Sequence, residues 1–484
     1  MTSATAPAAT EMDTDLDTKA ELEMLEYAGT RQVDYSGVAD KTDPAEIALV
    51  RRLDFVILPM LWIMYFCNFM DRNAVTNAKL DNLSKDLGLH GSEYNTAISI
   101  LFVGYLLGQI PSNMILTRVR PSWYMASFMM LWAVVSGLTA AVHNYTGLVL
   151  IRFFLGIVEA PFYPGALYML SIFYTKKELS LRIALFYTGN ISANAFSGLI
   201  AAAVFATLDG THGLEGWRWL FIITGVVTFG CALVGFFILP DNPGQTWWLS
   251  AEQRELAVER IKRDTTEESG TTSMMNGLKQ ACGDYRTWLF CFMMNMHVSG
   301  DSFKNFFPSM IKTLGFDTTI TLVLTCPPYV ASLVVSPLLC WSSGRFNERT
   351  WHIIGATGAV ITGFIIAAST TNIAARYVGV VIFVSMSSGV NDIMLGWAAS
   401  TLGQTPEKRA VAMAMVNMLS NVSSVYTPYL WNDSTAPRYI PGMASCAAFS
   451  VMVVVSTYVI MIVLKRDNVR IRQSAPETTV LYAY

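Results

Sequence analysis

Residues 240–287 read PDNPGQTWWLSAEQRELAVERIKRDTTEESGTTSMMNGLKQACGDYRT, a long polar interval in the middle of an apolar chain. Glu252-Gln253-Arg254-Glu255-Leu256-Ala257, continuing to Lys262-Arg263, has the rhythm of a short amphipathic helix lying on a surface. The Ser/Thr/Gly-rich stretch 265–273 after it has the composition of a flexible connector. Six apolar stretches precede this interval and six follow, at 53–71, 93–116, 122–142, 147–171, 183–207, 218–239, 288–311, 320–342, 350–369, 376–398, 409–431 and 440–464. Each is close to the about 20 residues that a helix needs to cross a bilayer core. Backbone in hydrocarbon must satisfy its own hydrogen bonds, so the stretches are expected to be helices. The expected fold class is an all-α membrane protein with 12 transmembrane helices in two six-helix halves. Its expected parts are a disordered cytosolic N-tail (1–52), an N-terminal six-helix bundle (53–239), a cytosolic linker (240–287), a C-terminal six-helix bundle (288–464) and a cytosolic C-tail (465–484).

Composition agrees with that reading. Of the 484 residues, 53% are hydrophobic and 14% charged, with mean hydropathy +0.40, whereas soluble domains carry about 25% charge. The net charge of −3 and the lack of a basic patch with interleaved aromatics exclude a nucleic-acid partner. Seven cysteines, none in a CxxC or Cys/His pattern of ligand spacing, read as small buried hydrophobes, so no metal and no cofactor are expected. The five histidines are scattered, and neither a GxxxxGK[ST] string nor a catalytic constellation is present, which speaks against an ATP-driven pump and a membrane enzyme. The first 52 residues are acidic, running through Glu11, Asp13, Asp15, Asp17, Glu21 and Glu23, and show no cleavable signal.

Basic residues set the expected orientation. With both termini cytosolic, the inside segments hold 24 Lys and Arg and the outside segments 7, with Arg152 and Lys304 inside spans. The positive-inside rule therefore favours both ends in the cytosol, and the plasma membrane is the default location. The sequons at Asn82 and Asn432 would then face outward, close to the bilayer.

Charge inside the spans is unevenly spread. Spans 3, 6, 9 and 12 have uncharged interiors, while charges occur in span 1 (Asp71), span 4 (Arg152, Glu159), span 7 (Asp301, Lys304) and span 10 (Asp392). These are the first helices of the three-helix repeats, and intramembrane ionisable groups face a cavity or a partner. Arg152, Gly156, Glu159 and Tyr163 share one face of span 4, and His297, Asp301 and Lys304 share one face of span 7. Asn190, Asn194 and Ser197 form a stripe on span 5, Asn417, Asn421 and Ser424 one on span 11, and Ser385, Ser388 and Asp392 one on span 10. Arg152 either meets a substrate or pairs with Glu159. Asp301 and Lys304 either serve a substrate or neutralise each other. The asparagine stripes are either ligands or helix-packing glue. Asp392 has no sequence-local partner, which makes it a proton-carrier candidate or the partner of another helix.

These residues resemble the fungal major facilitator transporters of the anion:cation symporter group, the allantoate permease family. The likeness covers about residues 45–472 and rests on ordered strings. Asn68-Phe69-Met70-Asp71-Arg72-Asn73 is followed by Asn77-Ala78-Lys79-Leu80. Gly104-Tyr105 precedes Ile110-Pro111-Ser112-Asn113, and span 4 runs Arg152 to Gly165 as RFFLGIVEAPFYPG. Gly216-Trp217-Arg218-Trp219, Leu239-Pro240-Asp241-Asn242-Pro243, Pro327-Pro328-Tyr329, Lys408-Arg409-Ala410 and Ala436-Pro437-Arg438-Tyr439 complete the series. The chain departs from the family at Gln109 and Gly344, where acids are common, and at Lys304 in a normally uncharged aromatic segment.

The resemblance implies proton-coupled symport of a small organic anion, such as nicotinate, allantoate or pantothenate, by a monomer working through alternating access. Arg152 and Lys304 would bind the carboxylate, in a cavity lined by Tyr65, Asn68, Asn190, Asn194, Asn417 and Asn421. Glu159, Asp392 or Asp301 would carry the proton. Asn113, Arg118 and Arg120 in loop 2–3, with Arg345 and Arg349 in loop 8–9, would gate the switch. An efflux antiporter for a secondary metabolite or drug-like compound is the alternative, left open by the altered span 7.

Overall fold

The computed structural model describes residues 43–116, 119–266, 274–474 and 482–484 of the chain. Residues 1–42, most of the expected N-tail, and 267–273 of the connector lie outside the described residues. Twelve helical units follow in chain order. They are α1 (Pro44–Ala78), α2 (Glu93–Leu116), α3 (Pro121–Leu138), α4 (Tyr145–Phe173), α5 (Lys176–Leu208), α6 (Gly216–Ile238), α7 (Tyr285–Gly300), α8 (Thr318–Phe346), α9 (Thr350–Ser369), α10 (Ile373–Thr401), α11 (Pro406–Asn421) and α12 (Ile440–Ser474). Among the described residues, nine of these, α2–α6, α8–α10 and α12, are long and apolar enough to cross a membrane. Two others break midway. The α7 helix passes into a 3-10 turn (Asp301–Phe306) and a short helix (Phe307–Lys312), and α11 ends before Ser423–Tyr426.

Several boundaries differ from the apolar stretches, and three of them have a plain local reason. Asp43 accepts from the Ala45 N–H at 2.9 Å with Pro44 as the first helical residue, so α1 begins well before residue 53 and the tail boundary moves back to 43. The side chain of Asp284 caps the start of α7, ahead of residue 288. No glycine or proline interrupts residues 465–474, so α12 continues past the apolar stretch into the expected C-tail as far as Ser474. The linker is itself structured, with helices Ala251–Thr266 and Met274–Gly283.

Helices packed closely in each half have the small residues that contact needs. Cβ atoms added at Gly104 and Gly156 would run into the backbone carbonyls of Phe153 and Leu101, so α2 and α4 touch backbone to backbone. Gly363 of α9 and Gly379 of α10 face each other in the same way. The outer helices turn apolar side chains outward, as Val226 (67% exposed) and Phe237 (65%) do on α6, which is correct for a surface covered by lipid.

Ion pairs at the linker end tie equivalent helices together. Thr175 and Glu178 form a capping box at the start of α5, and Glu178 meets Arg260 of the linker helix at 2.9 Å. Arg182 of α5 grips Asp54 of α1 with two nitrogens, at 3.1 and 2.8 Å. In the second half Lys408 of α11 meets Asp284 before α7 at 2.5 Å. Burial pushes the Asp284 carboxyl up, but the Lys408 and Arg286 charges outweigh it and hold it below the ordinary carboxylate range. That tie is intact at neutral pH and weakens as pH falls through the lowered value.

Apolar packing is distributed unequally between the two ends. Near the linker each half has its own core, one around Met129, Trp132 and Phe173, the other around Phe290, Ile353 and Trp397. At the far end a single core joins Tyr94, Trp217 and Phe221 with Phe303, Phe306 and Trp431 from the other half. The halves are therefore closed together at the far end and separate at the linker end.

Gly156→Ala is expected to lower the thermal midpoint sharply, because the methyl has no space between two backbones and such overpacking costs about 1–3 kcal/mol or more. Gly230→Ala, with nothing within 4 Å of the added carbon, should leave it unchanged. Thermal unfolding of the two purified variants in detergent compares them directly.

Candidate functional site

The charged residues of the inner helices are paired or hydrogen-bonded within each half, and Lys304 lines a cleft between the halves. Arg72 of α1 donates to Glu159 of α4 at 2.5 Å, with the Glu159 side chain fully buried. The same guanidinium lies over the rings of Tyr105 (4.9 Å) and Phe69 (5.4 Å), which orient it and shield it from water. One Glu159 oxygen, Oε1, has no hydrogen-bond partner among the described residues. Arg152, expected as a possible partner of Glu159, is not the residue that holds it. It is buried, donates from Nε to the Ala97 carbonyl of α2 at 3.4 Å, and has Nη1 without a partner among the described residues. Helical spacing within α4 could not reveal Arg72, because the better partner comes from another helix.

Asp71, adjacent to Arg72, points to a different place. It is buried between α1, α3 and α6, accepting from Trp132 Nε1 at 3.2 Å and Thr228 Oγ1 at 3.0 Å. Among the described residues its carboxyl has only neutral donors as hydrogen-bond partners.

In the second half Lys304 meets Asp301 at 2.5 Å, so these two neutralise each other. His297 Nε2 stands 3.8 Å from the same carboxylate, and Ser387 of α10 donates to its other oxygen. Asp392 of α10 accepts from Ser336 of α8 at 2.7 Å and from Asn391 at 3.3 Å. Asn391 also donates to the Tyr187 hydroxyl of α5 at 3.2 Å, a link between the halves.

The asparagine stripes of α5 and α11 are built alike. Asn194 Nδ2 donates to the Asn190 carbonyl at 2.8 Å, and Asn421 Nδ2 donates to the Asn417 carbonyl at 2.8 Å. Asn194 also accepts from Asn73 of α1 at 3.0 Å, so it joins helices. Asn68 is buried, with Nδ2 unpartnered among the described residues. Tyr65 stacks on Phe186 at 4.3 Å within an aromatic group that includes Phe162, Tyr163 and Tyr187, at the linker side of the Arg72–Glu159 pair. A narrow cleft between the halves is lined by Asn73, Asn77, Asn194, Lys304, Thr325 and Tyr329. A larger groove lies on the linker-side surface by Arg120, Asp241 and Lys262, away from these charges.

Of the expected gating residues, Arg118 and the side chain of Asn113 lie outside the described residues. Arg120 sits over Trp123 at 5.7 Å, Arg345 is exposed, and Arg349 donates to Ser343 at 2.9 Å. The far end carries a set of contacts that sequence reading missed. Lys79 Nζ is 2.8 Å from Asp433 Oδ1 and 4.2 Å above the ring of Tyr94. Asn95 donates to the Trp431 carbonyl at 3.1 Å and Ser99 to the Val425 carbonyl at 2.5 Å. Lys79 was visible only as part of a matching string, because its partner is over 350 residues away.

Comparison with known proteins gives the family. The Major Facilitator Superfamily model matches residues 61–428. The "Major facilitator-type transporter hxnP" of Emericella nidulans is 29% identical over 91% of this chain and 91% of its own. The "MFS-type transporter cnsO" of Penicillium expansum is 33% identical over 84% of this chain and 80% of its own. The fold matches a bacterial homologue of the human lysosomal transporter Spinster, solved inward-facing and unoccupied, with a TM-score of 0.64 at 14% identity over 83% of this chain and 94% of that one. An all-helical membrane fold, buried charges on its inner helices and a family match across most of the length agree: the chain is a multi-pass membrane transporter, not an enzyme, and belongs to the Major Facilitator Superfamily.

Proposed function

We propose that this transporter is a proton-coupled symporter of a small organic anion carrying a carboxylate. It works as a monomer in the plasma membrane with both termini and the linker in the cytosol, and the structure then corresponds to the state open to the cytosol. The observation that carries the reading is the Arg72–Glu159 pair with two unsatisfied groups nearby in the same half, Glu159 Oε1 and Arg152 Nη1.

A buried guanidinium with one N–H unpaired among the described residues attracts an anion, and its planar fork suits a carboxylate. A proton taken up on Glu159 removes the charge that holds Arg72, freeing a second guanidinium for the anion. Loss of the proton restores the pair and expels the anion. Substrate and proton therefore favour each other's binding, which is the requirement for symport. Lys304 serves the opposite wall, where a substrate carboxylate competes with Asp301 for the ammonium. Asp392, held among the described residues by neutral donors, is a second proton carrier. Tyr65, Asn68, Asn190, Asn194, Asn417 and Asn421 shape the cavity, while Asn113, Arg118, Arg120, Arg345 and Arg349 steady the linker-side turns as the halves rock. Opening the far end requires Lys79 to leave Asp433.

Cells lacking related permeases and expressing the chain should take up a labelled carboxylate from a panel (nicotinate, allantoate, pantothenate, dicarboxylates) faster at pH 5 than at pH 7.5, with the gain abolished by a protonophore. Absence of uptake by surface-expressed protein, with export from preloaded cells, would replace symport by efflux.

Glu159→Gln should remove the pH dependence of uptake. It should also destabilise the protein by about 3–5 kcal/mol, because Arg72 is left buried without its counter-charge. Uptake at the two pH values, beside thermal unfolding, reads both effects. Exchanging the latch charges makes a third test. Lys79→Asp alone should slow uptake or favour the far-end-open state, and adding Asp433→Lys should restore most of the loss, as followed by modification of cysteines placed at the far end.

A further inference from the structure

The linker-side end of the second half holds a set of polar contacts around the last residues of the chain that, apart from Arg349, the transport reading does not use. Residues Tyr482–Tyr484 lie there, away from the end of α12 at Ser474 and back beside Asn468. Asn468 is 7% exposed and pairs with the Tyr482 backbone in both directions. Its Nδ2 donates to the Tyr482 carbonyl and its Oδ1 accepts the Tyr482 N–H, each at 2.9 Å. Trp397 of α10 is fully buried and donates from Nε1 to the Ala483 carbonyl at 2.9 Å. The Arg349 N–H, at the start of α9, donates to the Tyr484 carbonyl at 3.4 Å.

Side chains complete the fit. Gln404 donates to the Tyr482 hydroxyl at 2.9 Å, and the Arg286 guanidinium of α7 lies 5.0 Å from the Tyr482 ring. Lys465 Nζ lies 5.1 Å from the Tyr484 ring. Tyr482 also packs against the apolar core that contains Phe290, Ile353 and Trp397. Four helices, α7, α9, α10 and α12, thus meet on three residues.

We propose that these contacts mark a peptide-acceptor site, read by backbone pairing and two aromatic side chains, and that its occupant is the chain's own Tyr-Ala-Tyr segment. Emptied, the site would expose or orphan the Trp397 indole N–H and the Asn468 amide, groups that buried structure rarely leaves unpaired. The reach is adequate. Seven residues, 475–481, span at most about 25 Å, whereas Asn468 lies about 9 Å back along the helix from Ser474. The occupied site fastens the start of α9 to the end of α10, the helix that carries Asp392, so occupancy stiffens the linker-side end of the second half.

The test uses a chain lacking residues 475–484 and a fluorescein-labelled hexapeptide, TVLYAY, copied from residues 479–484. The truncated protein should bind the peptide saturably in fluorescence anisotropy, and a peptide with both tyrosines replaced by alanine should fail. Full-length protein, its site filled, should bind at least ten-fold less. Asn468→Ala in the truncated chain should weaken binding at least ten-fold. In the full-length chain, Ala483→Cys should react slowly with a maleimide, and Asn468→Ala should speed that reaction. Equal maleimide rates with and without Asn468→Ala would overturn the proposal, as would a folded, monodisperse truncated protein that binds no peptide. The maleimide measurement decides the matter if the truncated chain does not fold.

Discussion

A charge left alone in a low-dielectric interior is costly, and most of the buried charges on the inner helices of this transporter are arranged by that constraint. Arg72 is held by Glu159 across α1 and α4, and Lys304 by Asp301 within the 3-10 turn that follows α7. Asp71 and Asp392 take neutral donors from neighbouring helices, Trp132 and Thr228 for one, Ser336 for the other. The cost of leaving any of these unpartnered exceeds what a helix contact supplies, so the pairs decide which helix faces lie inward. The outer helices have no such obligation and present valine, leucine and phenylalanine to lipid.

The same constraint links stability to function. A pair whose partner can be neutralised by a proton, or displaced by a carboxylate, is stable in one ligation state and unstable in another. Two halves that share one apolar core at the far end and keep separate cores at the linker end have a ready way to use that difference. The far-end core is sealed by Lys79–Asp433 and by hydrogen bonds to the carbonyls of Trp431 and Val425. The salt bridge alone is weak, since Asp433 is 58% exposed, but the Lys79 ammonium also rests on an aromatic ring. A seal made of several modest contacts can open without a large barrier.

The two halves retain signs of a common plan. The α5 and α11 helices each start at a threonine cap, and the third helical residue, Glu178 or Lys408, makes an ion pair beyond its own helix. Each then carries asparagines four residues apart with the same amide-to-carbonyl bond. The charges have diverged, acidic in one half and basic in the other, while the geometry remains. The second half adds the contacts around Tyr482–Tyr484, for which the first half shows no counterpart among the described residues.

By itself the sequence determined the membrane class, the number and approximate limits of the helices, the polar linker and the inner helices that carry charge. Those properties follow from local hydrophobicity and from spacing along one helix, both readable in a linear string. It also showed that Asp301 and Lys304 share a face, because three residues separate them. Only the tertiary structure decided that Glu159 belongs to Arg72 and not to Arg152, that Lys79 reaches Asp433, and that Asn194 bonds to Asn73. It also decided which end is closed and where Tyr482–Tyr484 lie. Partners on different helices are set by how the helices pack, and no spacing along the chain records that distance.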